Sequence, residues 1–215
     1  MGPITLFAKR QLLDAIRFVS AIATWPISRL AVQAIQDETW RPLPSDALMP
    51  NASGQWTHAI TVDASPGDIW PWLVQLGCRR GGWYSYDGLD NGGAPSADRI
   101  IAELQHIEVG DLFAWTPTSE DGFFVKAIDP ERMLAIGGDA GSLFRVSWAF
   151  VLQPLEEHQT RVISRCRGEV IRPLAKVVLT LERPVHFAME RRQLLNLKAR
   201  VEASARARDR NPAAA

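Results

Sequence analysis

Glu103, Glu190, Arg80, Tyr84 and Tyr86 are the side chains of this chain whose types and surroundings could do chemistry. Glu103 follows Ile100 and Ile101, with Gln105 just beyond it. A carboxylate in an apolar pocket has a raised pKa and can remove a proton next to a carbonyl, so Glu103 is the general-base candidate. Capping, or pairing with Arg99 or Arg80, is the commoner fate of such a group. Tyr84 and Tyr86 lie two apart and share a face if the run is extended. Their phenols could donate to a ligand carbonyl, and Tyr84 is the second candidate for proton transfer. Packing, with each hydroxyl satisfied by backbone, is as frequent. Arg80 could hold an acidic ligand head, or knit Asp87, Asp90 or Glu103 to the domain. Glu190 falls in an apolar stripe between Phe187 and Leu194, where a charge must be paired or neutral. It is expected to salt-bridge an arginine inside the domain, the alternative being a place in a cavity.

These residues sit in an unusual setting. From Arg80 to Asp111, aromatic rings, charges of both signs and glycines are interleaved with no helical or strand period. Buried charges there would need partners, and Trp83, Tyr84, Tyr86, Leu89, Ile100, Ile101 and Leu104 carry too much apolar area to leave wet. A wall that is apolar on one side and polar on the other, lining a small-molecule pocket, fits both demands. Motifs for other chemistry are missing: no nucleophile elbow, phosphate-cradling loop, dinucleotide fingerprint, or zinc or EF-hand spacing. Cys78 and Cys166 read as reduced apolar fillers, and the histidines (His58, His106, His158, His186) are scattered. No metal and no cofactor is expected.

The positioning elements follow from periodicity. In residues 5–36, Leu12, Ile16, Val19, Ala23, Ile27 and Leu30 recur at helical spacing, with Pro26 expected to kink the helix. Its polar side carries Lys9, Arg10, Arg17 and Arg29 against Asp14, a net basic stripe. The apolar face could pack on the domain or a second copy, the commoner outcome, or lie in a membrane interface. Asp37–Gly54 reads as a proline-rich linker. A strand covers 56–63, and Ser65-Pro66 caps a helix that stops at Gly77. Short helices or turns are expected at 84–91 and 97–104. Strands are expected at 109–115, 122–129, 133–137, 142–152 and 159–169, the last two as a hairpin. Arg145, Arg161, Arg165 and Arg167 could form a basic stripe on the outer sheet face, ordinarily solvated, the alternative being contact with an acidic membrane. A helical stretch from Pro173, interrupted at Pro184, is followed by a long helix to about residue 206. The division is therefore an extension and linker at 1–50, a domain at 51–207 and a disordered tail at 208–215. The fold class is α+β: an antiparallel sheet curled around the last helix.

With 215 residues, one core can form without metal or disulfide. Lys plus Arg balance Asp plus Glu at 24 each, giving no electrostatic reason to expect nucleic acid. No secretory signal or spanning helix is recognisable, so a cytoplasmic protein is expected, with peripheral membrane contact through residues 5–36 as an option.

The order of elements and the residues filling it resemble the SRPBCC superfamily, which includes START, pollen-allergen-like and polyketide cyclase/dehydrase proteins. The closer similarity is to its bacterial members of unassigned function. It is carried by Ala64-Ser65-Pro66, Trp70 through Gly77, Arg80, Gly82 through Tyr86, Asp98-Arg99-Ile100, Glu103, Gln105, Gly110-Asp111, Ser147-Trp148, Thr160-Arg161 and Met189-Glu190-Arg191. Ala102 stands where a proline is common, and Asn196 where a glycine is common. The resemblance implies the helix-grip fold, with a deep cavity between sheet and C-terminal helix. Trp72, Tyr84, Tyr86, Trp148 and Met189 would shape the wall, with Arg80, Glu103 and Glu190 setting its polarity. It does not imply an activity. Binding of a hydrophobic small molecule, lipid-like or polyketide-like, is the first expectation. A cyclase or dehydratase using Glu103 or Tyr84 is the alternative.

Overall fold

Strong alternation in the second half of the chain builds the sheet. In β5 (Phe144–Glu156), Phe144, Trp148, Phe150 and Leu152 turn inward and are buried. β5 pairs with β6 (Gln159–Val170) as a hairpin, in register from Phe144 opposite Val170 to Pro154 opposite Thr160, with a one-residue shift before Glu156 meets Gln159. β1 (Gly54–Val62) adds to the far edge of β6. β4 (Met133–Ala140), β3 (Gly122–Asp129) and β2 (Leu112–Ala114) extend the other side. All pairings are antiparallel, and the order β1-β6-β5-β4-β3-β2 makes one curved, open sheet. The computed structural model describes residues 3–24, 29–140, 144–156 and 158–210.

Between β1 and β2 the chain leaves the sheet. α3 (Pro66–Val74) begins where expected: Asp68 N donates to Ser65 Oγ at 3.3 Å, Ser65 N donates to the Asp68 carboxylate at 3.2 Å, and Pro66 occupies the first turn. α4 (Asp87–Asp90) is a single turn, and the short helix or turn expected at 97–104 is a 3-10 turn at Ala102–Leu104. The long helix α5 (Pro173–Arg210) closes the concave side, so the fold is the α+β helix grip expected from the order of elements. Its Phe187, Leu194, Leu197 and Val201 share one core with Trp72, Leu73 and Leu76 of the α3 segment and with Leu134, Ile136 and Phe150 of the sheet. Burying each such side chain stabilises by about 1.5–3 kcal/mol. Pro184 does not interrupt α5: a proline removes one backbone donor, and the helix continues through it. The helix reaches Arg210, and residues 211–215 of the expected tail lie outside the described residues.

Two expectations about the first third of the chain are corrected. α1 (Pro3–Ala23) ends well short of residue 36, and the kink expected at Pro26 lies outside the described residues. α1 packs by its polar side. Asp14 is 4% exposed and accepts a hydrogen bond from Gly88 N at 3.0 Å, while Phe18 meets Tyr86 edge-on at 5.4 Å. A Cβ on Gly88 would stand 2.9 Å from the Gln11 backbone, so the glycine permits this close approach. The apolar stripe Leu12, Ile16 and Val19 faces outward, 62%, 54% and 64% exposed.

The second correction concerns the outer sheet face, which is not a solvated basic stripe. The proline-rich segment expected to be a linker lies across it, and Arg165 is 1% exposed. Arg165 donates to the Asp46 carboxylate at 2.7 Å and to the Arg41 carbonyl at 3.0 Å. Arg161 pairs with Glu38 at 2.7 Å, and Arg167 reaches the Met49 carbonyl at 3.2 Å. Arg145 alone of the four is exposed, between Asp139 and Glu169. The physical reason is the segment's α2 (Gln36–Trp40) and the 3-10 turn Pro44–Leu48, which place acids and carbonyls opposite every second residue of β6. Leu43 completes the contact by burying itself with Ala59 and Ile163.

Candidate functional site

The concave side of the sheet is not filled. A cavity of about 250 Å³, open on one side, lies between β5, the 83–90 segment and α5. Trp83, Trp115, Phe123, Trp148 and Met189 form an apolar wall, and Ser85, Asp90, His186, Glu190 and Gln193 supply the polar atoms. Trp83 and Trp148 stack with ring centroids 6.0 Å apart at 14°. Phe123 stands edge-on to Trp148 at 5.7 Å and to Trp83 at 5.9 Å. The wall is thus a box of flat surfaces. For scale, a cavity of about 150 Å³ accepts benzene, so one or two fused rings fit here and a long acyl chain does not.

One polar cluster sits at the floor. Glu190 is buried, and its Oε2 lies 2.6 Å from His58 Nδ1 of β1. His186, one turn before it on α5, brings Nε2 to 3.1 Å from the same oxygen. That contact is off the hydrogen-bond line, so His186 is near enough for an ion pair but Nε2 has no hydrogen-bond partner. The other oxygen, Oε1, accepts from Ser164 Oγ, which itself accepts from Trp148 Nε1 at 2.7 Å. Burial would push the Glu190 carboxyl up, but the two imidazoles outweigh it and hold the group well below the usual carboxylate range. Burial likewise pulls His58 down, and the Glu190 charge beside it wins and raises it. An arginine partner for Glu190, expected from sequence, is replaced by these histidines. β1 and α5 lie side by side, and the two imidazoles reach it from both.

A second carboxylate behaves oppositely. Asp90, at the end of α4, is 8% exposed, and neither of its carboxylate oxygens has a hydrogen-bond partner. Ser85 is near, but its hydroxyl is already donated to the Met189 carbonyl at 3.1 Å. Burial, with repulsion from Asp87, pushes the Asp90 carboxyl up to about 7. Gln193, on the face of α5 one turn beyond Glu190, is 2% exposed and its Oε1 also lacks a partner. Native interiors leave few buried polar groups unpaired. Here Asp90, Gln193 and His186 all do so on one cavity.

The structure distributes the residues singled out from sequence unevenly. Trp148, Met189 and Glu190 line the cavity. Trp72 and Tyr84 lie behind the wall: Tyr84 donates to the Trp72 carbonyl at 3.1 Å and accepts from Gln75 Nε2 at 2.9 Å. Burial pushes the Tyr84 phenol up to about 12, and its proton is already given to the Trp72 carbonyl. Tyr86 is buried under Arg192, whose guanidinium sits 4.6 Å from the ring centre. Arg80 pairs with none of the acids proposed for it; it donates to the Val74 and Leu104 carbonyls at 2.9 and 3.2 Å and lies over Phe113. Glu103 is exposed on its 3-10 turn, outside the cavity, and is not placed to act as a base there. Asp90, Gln193, His58 and His186 were not picked out as site residues. The spacing His186, Glu190, Gln193 puts all three on one stripe of a helix and was the available signal. Among the described residues no group of three His, Cys, Asp or Glu side chains is arranged to hold a metal ion.

No family model and no curated protein matches the chain. Solved structures are similar to it at low identity. One is a protein from Mesorhizobium loti, 13% identical with a TM-score of 0.42, covering 70% of this chain and 98% of that one. Another is from Thermobifida fusca, 12% identical with a TM-score of 0.46, covering 68% and 92%. A third is the di-domain ARO/CYC protein StfQ from the steffimycin biosynthetic pathway, 15% identical with a TM-score of 0.47. It is covered over 70% of this chain and 51% of its own length, so the chain spans about half of that protein.

Proposed function

We propose that this protein binds a small, flat, largely apolar molecule that carries hydrogen-bond donors at one end. The observation carrying this reading is the set of unpaired acceptors, Asp90 and Gln193 Oε1, facing an aromatic box. A buried acceptor without a partner costs about 1–3 kcal/mol, and a donor on a ligand would recover it. The box favours one or two fused rings over a lipid chain. The resemblance to the SRPBCC superfamily, whose members enclose ligands at this position, supports the same reading. The test is fluorescence titration, since three tryptophans line the cavity. A naphthol should bind about tenfold tighter than its methyl ether, which has the same body and no donor. Asp90→Ala should erase that difference. Equal binding of the two compounds, or no binding of either, removes the proposal.

A specific observation favours a second reading, proton-transfer catalysis on the bound molecule. Asp90 is raised to about 7 while Glu190 is held low, so a proton-accepting and a permanently charged carboxylate share one cavity. In that reading Asp90 takes a proton from the carbon next to a ligand carbonyl and returns it. Deuterium exchange at that carbon of a bound two-ring ketone, followed by NMR and abolished by Asp90→Asn, would support it. Exchange no faster than in buffer would leave binding alone.

A further inference from the structure

We propose that the outward face of α1 docks on an anionic lipid surface. The helix is held to the domain by its polar side: Asp14 accepts from Gly88 N, Arg192 lies 3.7 Å from the same carboxylate, and Phe18 rests on Tyr86. Leu12, Leu13, Ile16 and Val19 are left facing out with none of the described residues covering them. A surface helix ordinarily does the reverse and buries its apolar stripe, so this one displays a surface that water disfavours.

Charge selects the occupant. The helix and the residues just after it carry Lys9, Arg10, Arg17 and Arg29, and Arg17 is 58% exposed on the flank of the stripe. The one acid in the segment, Asp14, is turned inward and used, and the segment as a whole is net positive in a chain of zero net charge. Leu or Ile on one face with Lys or Arg at its margin is the pattern of a helix lying in a headgroup layer. A second copy of the chain would bring two net-positive segments together and be repelled. No helix among the described residues is long and apolar enough to cross a membrane, so the contact is with the surface. α1 lies directly on α4, whose Asp90 is part of the cavity wall. The docking itself does not depend on what the cavity binds.

Co-sedimentation of the full chain with phosphatidylcholine vesicles, with and without phosphatidylglycerol, tests it. The protein should sediment with the anionic vesicles and far less with the neutral ones. The combined substitution Leu12→Ser, Ile16→Ser and Val19→Ser should lower that partition by about tenfold or more, because it removes most of the apolar contact. Arg17→Glu should weaken binding to anionic vesicles only. Both variants should keep the parent's far-ultraviolet circular dichroism, which separates loss of docking from loss of fold. The proposal is overturned if the parent does not sediment, if the triple variant sediments as the parent does, or if neutral and anionic vesicles bind alike. A parent dimer in light scattering that the triple variant dissolves would overturn it too, by assigning the stripe to a second copy.

Discussion

His58 and Glu190 are 132 residues apart in the chain and 2.6 Å apart in space. One comes from the edge strand β1 and the other from the middle of α5, so the pair ties the first strand of the sheet to the helix that closes it. Ser164 and Trp148 extend the same network into the cavity wall, which makes the floor of the site part of the fold's stability.

Glu190→Gln therefore has a large expected effect. It leaves two imidazoles beside a neutral amide in a buried position, and breaking a buried pair from one side costs about 3–5 kcal/mol. Urea denaturation of the variant at pH 6 should show a loss of that order. A loss below about 1 kcal/mol would mean that the cluster contributes little.

Both members of the pair make stability depend on pH. His58 is raised above its ordinary 6.5, so its contribution is complete below that value and is lost as pH rises through its higher folded value. Glu190 is lowered from 4.5, so its contribution is complete above that value and is lost as pH falls towards its lower folded one. The contribution of this pair should thus be greatest between pH 4.5 and 6.5 and decline on both sides, as read by thermal unfolding across a pH series in an Asp90→Asn background.

Asp90 adds a slope that one substitution removes. Its folded carboxyl keeps a proton to about pH 7 where the unfolded chain loses it near 3.8, so stability falls as pH rises between those values and then levels. Asp90→Asn should abolish that fall and stabilise the protein by about 2–4 kcal/mol above about pH 8. A variant less stable than the parent there would show that the carboxylate is paired after all.

Arg165→Ala tests the strap over the outer face. Arg165 is buried against Asp46 and three backbone carbonyls of the 38–41 turn, so its loss leaves these acceptors without partners. Destabilisation of about 3 kcal/mol is expected, with hydrogen exchange of residues 36–49 accelerated well beyond that of β4. Uniform acceleration across the chain would mean the segment is not held separately.

Tyr84→Phe separates structure from chemistry. The hydroxyl is already shared between the Trp72 carbonyl and Gln75, so the variant should lose about 1–2 kcal/mol of stability and leave naphthol binding unchanged. Loss of binding with full stability would return the phenol to the site.

How much of this was legible follows from the range of the forces involved. The β5–β6 hairpin and the Ser65-Pro66 cap depend on neighbours within a few residues, and their alternation and capping signals are local. The strap was not legible, because Pro42, Pro44 and Pro50 mark irregular chain without saying what it lies against. α1 has a clear apolar stripe, yet which side faces the domain was decided by Asp14 meeting Gly88.

The site divides in the same way. Sequence alone determined that Glu190 is anomalous, since an acid inside a helix's apolar stripe needs a partner whatever the fold. It also determined the α+β order of elements. Only the tertiary structure decided that the partner is His58 rather than an arginine, that Tyr84 and Arg80 spend their polar atoms on backbone and core, and that Asp90 is left unpaired. Partners, burial and the shape of a cavity arise where distant segments meet, and one-dimensional spacing carries no record of that meeting.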